Sequence, residues 1–357
     1  MNKKKVLFFL SPGVGGAQRV SVLFSKLLDA SQYEVVYAIV GEAKSSIMDF
    51  LPLGAVVKQI KIRNIYDFTT FKIMALLRRE KPYAVFCSQM YLNIRVIWAA
   101  NWLGGIKVVI RSNSMVQNLR SKRLDFVVAT MLYRTADRVV AQTKEMRDEM
   151  ISVFNVDACK TIVINNPLDK QQIENKINQP SPYSSNNETR FICVGRIAEV
   201  KGCEVAIKAL QETSKSIENA HLYFVGEFER TSGYFYQLEQ LIKQIGLEKR
   251  VHFVGYTDNP YIWVKYADVF ILSSHIEGLP NALIEALYLH KPAVATRCIP
   301  IVEQIIQEGI NGYLVNCGDD EGMATSMIKA VALHSVNSMS FEGATAEEIN
   351  KLFKFDV

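Results

Sequence analysis

Two carboxylates with seven residues between them, Glu277 and Glu285, stand in Ser273-Ser274-His275-Ile276-Glu277-Gly278-Leu279-Pro280-Asn281-Ala282-Leu283-Ile284-Glu285-Ala286. The run follows a strand-like Val269–Leu272 and opens a helix, because Pro280 suits a first helical position and Ala282–Leu289 continues the pattern. Glu277 is then a loop residue, and Glu285 lies about five residues into the helix, roughly 7 Å along its axis. Between them falls a helix amino terminus, whose free N–H groups attract anions. A diphosphate placed there leaves one carboxylate beside a sugar and the other beside a ribose, where both can accept hydroxyl hydrogen bonds. Either glutamate alone reads as ordinary helix electrostatics. The pair in this frame reads as chemistry.

Cys193-Val194-Gly195-Arg196-Ile197-Ala198-Glu199-Val200-Lys201-Gly202 is a second strand-to-helix turn. A lysine next to a helix amino terminus is electrostatically misplaced. A phosphate held between Arg196 (fork geometry) and Lys201 (a mobile point charge) removes the conflict. The third loop, Ser11-Pro12-Gly13-Val14-Gly15-Gly16-Ala17-Gln18-Arg19-Val20, lets backbone approach a ligand closely. It is not the dinucleotide fingerprint, because Gln18 and Val20 occupy the positions where the last glycine would be needed.

These three turns need strands to present them. Strand candidates are Lys5–Leu10, Glu34–Val40, Val56–Lys61, Ala84–Cys87, Lys107–Arg111, Arg138–Ala141 and Thr161–Ile164. After a Pro-, Ser- and Asn-rich gap the alternation restarts with Arg190–Val194, His221–Gly226, Val251–Gly255, Asp268–Ser273, Pro292–Thr296 and Gly312–Val315. Helix-period segments such as Tyr234–Ile245 fall between them, predicting two doubly wound parallel-sheet α/β domains facing a cleft. The expected division is 1–167, a linker over 168–189, 190–335, and a terminal segment 336–357 that packs back on the first domain.

The sequence resembles the retaining family-4 glycosyltransferases of the GT-B fold (glycosyl transferases group 1). The resemblance rests on Gly15-Gly16-Ala17-Gln18-Arg19-Val20, Asn165-Asn166-Pro167, Gly195-Arg196 with Lys201-Gly202, Gly255 ahead of Ala267-Asp268, and Glu277 with Glu285. It implies transfer of a hexose or N-acetylhexosamine from a nucleotide-sugar, such as a UDP-sugar, to a lipid-linked or polysaccharide acceptor in lipopolysaccharide or capsule synthesis. It further implies that Gly15 and Gly16 approach the donor phosphate, and that Arg196 and Lys201 neutralise the departing diphosphate. Glu277 faces the sugar and Glu285 the ribose. Gly226, Gly255, Tyr256 and Thr257 line the base pocket, and backbone groups of Leu279 and Asn281 add phosphate contacts. Many relatives carry a histidine after the fifth strand; here Val108-Val109-Ile110-Arg111-Ser112-Asn113-Ser114 has none, leaving Arg111 and Asn113 as sugar- or acceptor-side candidates. Neither suits general-base work at neutral pH, which fits a departing phosphate that itself takes the acceptor proton. Gln18 stands where the family pattern normally has Glu. No DxD sequence occurs, and the basic residues and helix end supply the positive field, so no metal cofactor is expected. A nucleotide-sugar epimerase of the same fold and a non-catalytic nucleotide-sugar-binding subunit are the alternative readings.

Composition sets the partners. The 357 residues are 49% hydrophobic and 22% charged, within the globular range and long enough for two cores. The net charge of +5 is uneven: residues 1–165 hold 24 Lys/Arg against 12 Asp/Glu, the remainder 17 against 24. The basic half predicts an anionic partner, a membrane surface or a phosphate-bearing acceptor; no zinc, recognition-helix or RNA-binding signature points to nucleic acid. Arg120, Lys122 and Arg123 ahead of Leu124-Asp125-Phe126 read equally as a headgroup contact or a plain helix start. Trp98 and Trp102 share one helix face and read as core. The longest apolar stretch, Leu92–Ile110, is broken by Arg95, Asn101, two glycines and Lys107, so no span is expected. The apolar run after Lys3-Lys4-Lys5 ends at Ser11-Pro12-Gly13, too short for a signal peptide. The six cysteines show no metal-like spacing. The resulting expectation is a cytoplasmic protein, peripheral on the inner face of the cell membrane.

Overall fold

The computed structural model describes residues 3–13, 15–62, 68–113, 123–185, 187–333, 336, 341 and 343–355. The strands of the first sheet are β1 (Lys4–Leu10), β2 (Tyr33–Val40), β3 (Val56–Ile60), β4 (Ala84–Cys87), β5 (Lys107–Arg111), β6 (Arg138–Ala141) and β7 (Thr161–Val163). Those of the second are β8 (Thr189–Val194), β9 (Ala220–Val225), β10 (Val251–Gly255), β11 (Val269–Leu272), β12 (Ala293–Thr296) and β13 (Gly312–Val315). Each lies within two residues of its sequence-based position. The first-unit helices are α1 (Gly16–Lys26), α2 (Ser45–Phe50), α3 (Thr69–Glu80), α4 (Met90–Leu103), α5 (Arg123–Tyr133) and α6 (Lys144–Ser152). There follow α7 (Lys170–Lys176), α8 (Cys203–Thr213), α9 (Gly233–Gln244), α10 (Pro260–Lys265), α11 (Asn281–Tyr288), α12 (Pro300–Ile305), α13 (Asp320–Val331) and α14 (Ala346–Leu352).

Both sheets are parallel, in the orders β3-β2-β1-β4-β5-β6-β7 and β10-β9-β8-β11-β12-β13. Each order reverses once, between β1 and β4 and between β8 and β11. Such a reversal parts the loops that leave the two central strands and opens a crevice at their carboxyl ends. The strands read as unbroken apolar runs because both sheet faces are covered. Along β1, Leu7 and Phe9 pack under α3, α4 and α5 with Ile73, Val96 and Ala129. Val6, Phe8 and Leu10 pack on the opposite face with Val20 and Phe24 of α1 and Leu352 of α14. The second core joins Phe191, Leu222, Phe224 and Ile271 to Leu210 of α8 and Met327 of α13.

The chain divides into residues 1–167 with 343–357, and residues 168–342. The segment read as a linker groups with the second unit: it carries α7, and Asn259 Nδ2 donates to the Lys176 carbonyl at 2.8 Å. The last helix belongs to the first unit. Asn350 Nδ2 donates to the Leu27 carbonyl at 3.0 Å, its Oδ1 accepts from the Asp29 N–H at 2.9 Å, and Tyr33 Oη donates to the Phe353 carbonyl at 3.1 Å. One expectation about the core is overturned. Trp98 and Trp102 are 37% and 69% exposed, because α4 turns Leu92, Val96, Ile97 and Ala100 to the sheet and the tryptophan face outward. Among the described residues no helix is long and apolar enough to cross a membrane.

Phe353, fully buried with ring neighbours Phe8, Tyr33 and Phe86 at 6.1–6.4 Å, closes the face beside β1. Phe353→Ala should lower stability by about 3–5 kcal/mol, the usual cost of emptying a buried phenylalanine site. A denaturant midpoint unmoved by this substitution would mean that the terminal helix is not part of the first core.

Candidate functional site

At the reversal of the second sheet, the loops leaving β8 and β11 meet. Their walls are Cys193, Gly195, Arg196, Lys201, Ser273, Ser274 and Glu277, among others, and form one pocket. Glycine makes this approach possible at two positions. A side chain on Gly226 (φ +157°) would begin 2.0 Å from the Gly195 carbonyl oxygen. One on Gly202 (φ +58°) would begin 2.2 Å from that of Ser273. Hydrogen bonds then lace the loops together: the His275 N–H donates to the Val200 carbonyl at 2.9 Å, Ser273 Oγ to the Lys201 carbonyl at 3.0 Å, and Thr296 Oγ1 to the Ser274 carbonyl at 2.6 Å.

On this frame Lys201 Nζ lies 2.6 Å from Glu277 Oε1, and Ser274 Oγ donates to the same oxygen at 2.8 Å. The two side chains are 30% and 11% exposed. The conflict seen in the sequence, a lysine beside a helix start, is therefore answered first by Glu277. Three N–H bonds are available on an ammonium, so one bond to Glu277 leaves capacity for a phosphate. Arg196 is exposed on the same pocket wall. Behind it, Glu204 accepts from Tyr234 Oη and sits 2.9 Å from His275 Nε2, while Tyr234 Oη accepts from the Cys203 N–H at 3.1 Å. Burial alone would raise the Glu204 pKa; the Tyr234 and His275 bonds outweigh it and hold the carboxyl below its usual range. Burial also pushes Cys203 up to about 11 and Cys193 well above the ordinary thiol value, so both pocket-wall thiols stay protonated at neutral pH.

Glu285 is the fifth residue of α11, and Tyr261 Oη lies 3.5 Å from its Oε1. Pro280 is the residue before that helix and Asn281 its first, half-buried residue. The Leu279 side chain is buried, and its carbonyl accepts from the Asn281 N–H at 2.9 Å. Tyr256 is 60% exposed, and Thr257 Oγ1 accepts from the Asn259 N–H at 3.1 Å in the turn after β10. Ser274, Tyr261 and the Glu204–His275–Tyr234 network are additions to the residues singled out from sequence. Ser274 and His275 lay inside the motif; Tyr261, Glu204 and Tyr234 are distant in sequence and carry no local signal. Arg297 pairs with Glu303 at 2.8 Å and Glu308 at 3.5 Å.

The remaining candidates lie in the first unit. Gly15 and Gly16 begin α1, where the Gly15 N–H donates to Gln18 Oε1 at 3.2 Å and Gln18 in turn donates to Ser11 Oγ. Asn113 is half-buried. Arg111 is only 1% exposed, donates to Asn166 Oδ1, and stacks 5.7 Å over Phe24, so it braces the Asn166-Pro167 turn from within. Burial pushes its pKa down from the usual guanidinium value. Arg120, Lys122 and the Arg123 side chain lie outside the described residues.

The close approach at Gly202 is directly testable against Gly246, which shares a positive φ (+71°) but faces open space. Gly246→Ala should cost about 1–2 kcal/mol of backbone strain. Gly202→Ala should cost more, since the Ser273 carbonyl must also move. Equal shifts in chemical denaturation would dismiss the contact between the two loops.

Comparison with known proteins agrees with this architecture. Residues 14–172 match the model described as Glycosyltransferase Family 4, and residues 174–340 match Glycosyl transferases group 1. An uncharacterized glycosyltransferase of Methanocaldococcus jannaschii is 28% identical over 64% of this chain, which spans 59% of that relative's length. The Campylobacter jejuni N-acetylgalactosamine-N,N'-diacetylbacillosaminyl-diphospho-undecaprenol 4-alpha-N-acetylgalactosaminyltransferase is 23% identical, over 90% of this chain and 88% of its own. Among solved structures, Anabaena HepE in complex with UDP and glucose superposes with a TM-score of 0.78 at 18% identity, covering 98% of this chain and 94% of that one. With both halves matched and two parallel sheets that each reverse once, the chain belongs to the GT-B glycosyltransferases of group 1.

Proposed function

We propose that the protein transfers a hexose or N-acetylhexosamine, with retention, from a UDP-sugar to a lipid-linked saccharide at a membrane surface. The observation that carries the reading is the Lys201–Glu277 pair at the reversal of the second sheet, held by Ser274 and bordered by Arg196. Arg196 and Lys201 take the diphosphate, with the amino terminus of α11 adding backbone donors. The bond from the anomeric carbon to the diphosphate breaks, the acceptor oxygen bonds to that carbon from the same face, and the acceptor proton passes to a phosphate oxygen. Positive charge develops on the sugar during cleavage. A carboxylate already fixed by Lys201 and Ser274 stabilises it without reorganising at the moment of reaction. Glu285 holds the ribose. The arginine, lysine and helix end supply the positive field, so activity is expected to survive chelation. The UDP complex of HepE supports the choice of base, and the undecaprenol-linked substrate named for the Campylobacter relative supports a lipid-linked acceptor.

Arg196→Ala and Lys201→Ala should each weaken UDP binding by about 1.5–3 kcal/mol in calorimetric titration, the range for charge-assisted hydrogen bonds. Because Lys201 also orients Glu277, Lys201→Ala with Glu277→Gln should cost less turnover than the two single losses added together. Glu277→Gln should lower kcat more than donor affinity, and Glu285→Gln should do the reverse. A severe kcat loss confined to Glu285→Gln would mean that the two carboxylates have exchanged roles. Nuclear magnetic resonance of the product decides the anomeric outcome; inversion would overturn the retaining step. Conversion of the nucleotide-sugar with no acceptor present would point to the epimerase instead.

A further inference from the structure

The helix α4 is largely apolar, with Asn93, Arg95 and Asn101 as its polar residues. Its inward residues meet the first sheet, and its outward stripe is Tyr91, Arg95, Trp98 and Trp102, at helical spacings of four, three and four. The outward side carries aromatic rings that the fold leaves exposed.

The aromatic surface extends beyond the helix. Phe68 and Phe71, at the start of α3, continue the stripe through ring contacts of 5.9 Å (Phe68–Phe71), 6.0 Å (Phe71–Trp98) and 5.6 Å (Trp98–Trp102). All four rings are exposed. The adjoining α5 adds exposed Val127 and Met131, one turn apart. A contiguous apolar face of this kind on a folded unit marks a contact surface.

Charge identifies the occupant. From Phe68 to Arg134 the chain holds eleven Lys/Arg and two Asp/Glu; of the cations, Arg111 is buried and Lys107 pairs with Asp137, which leaves nine. One of those acids, Glu80, is taken up by Lys5 at 3.1 Å, Arg79 at 3.2 Å and Lys58 at 3.6 Å. Arg95 lies within the aromatic stripe, its Nη1 donating to the Tyr91 carbonyl at 2.6 Å. Tryptophan and tyrosine favour the level of lipid headgroups, and arginine reaches phosphates while its stem lies on apolar surface. A second copy of the chain would bring like charge against like charge; an anionic bilayer would neutralise it.

We infer that the outer face of α3 and α4, centred on Phe68, Phe71, Trp98 and Trp102, docks the chain on an anionic lipid bilayer. It rests on the proposed function only for the acceptor, whose lipid anchor this face would bring within reach. The basic segment at Arg120, Lys122 and Arg123 is then an accessory contact at most.

The test uses the full chain with vesicles of phosphatidylglycerol and phosphatidylcholine, against phosphatidylcholine alone, at low salt. Wild type should co-sediment with the anionic vesicles only, and its tryptophan emission should shift to the blue. Trp98→Ser/Trp102→Ser should lose vesicle affinity by about tenfold or more, as expected from withholding two aromatic side chains from the interface. It should keep wild-type thermal unfolding and UDP affinity, and its remaining Trp263 should show no shift. Trp102→Phe should retain most of the binding and covers the case in which the double variant misfolds. Four results would each overturn the inference: no vesicle binding by wild type, full binding by the folded double variant, loss only in Arg120→Ser/Lys122→Ser/Arg123→Ser, or a dimer abolished by the tryptophan changes. Loss of UDP binding with vesicle binding intact would instead count against the proposed transferase chemistry alone.

Discussion

Lys201 and Glu277 come from loops that leave different strands, and their contact requires β8 and β11 to be neighbours with nothing between their carboxyl ends. A partly buried pair of this kind gains from reduced screening and loses from desolvation, so its net contribution to stability is small. Its consequence is geometric. Breaking either partner leaves an uncompensated charge in a pocket, which binds both loops to a single arrangement. Ser274 completes the carboxylate's hydrogen bonding and Ser273 secures the lysine's own carbonyl. The same two loops are thus joined by side chain to side chain and by side chain to backbone.

That arrangement depends in turn on two places where a Cβ has no room. Gly202 and Gly226 let backbone lie against backbone at the ends of β8, β9 and β11. Charged side chains can then project into a narrow pocket from short loops, with small freedom to lose on binding a ligand. The Glu204–His275–Tyr234 network does the same work from behind, tying the first turn of α8 to the loop after β11.

The first unit is built by the same strand logic but distributes its polar groups differently. Arg111 at the end of β5 turns into the interior, where Asn166 and Phe24 meet it. Its outer surface, by contrast, carries a cluster of exposed aromatic rings, Phe68, Phe71, Trp98 and Trp102, over α3 and α4. The positive charge of this half gives that surface an electrostatic counterpart in the bilayer docking inferred above.

Much of this was legible in the residues. Strands buried on both faces must be short apolar runs, and turns must carry glycine, proline or asparagine, so all thirteen strands named above could be read to within two residues. Glu277 and the Arg196–Lys201 turn were legible as pocket-wall candidates because their chemistry sits at strand-to-helix junctions; Glu285 is not among the residues that line that pocket. Tertiary structure alone decided the rest. Periodicity places Trp98 and Trp102 on one helix face, but only the packing of α4 against the sheet says that this face is the outer one. Sequence offers Arg111 as a cation at a strand end without saying that its guanidinium is enclosed. It leaves Lys201 in want of an anion, and Glu277, seventy-six residues on, becomes that anion through the pairing of β8 with β11. Local sequence determines the form and chemistry of each element; which groups share a low-dielectric pocket is a property of strand order, and no single segment contains it.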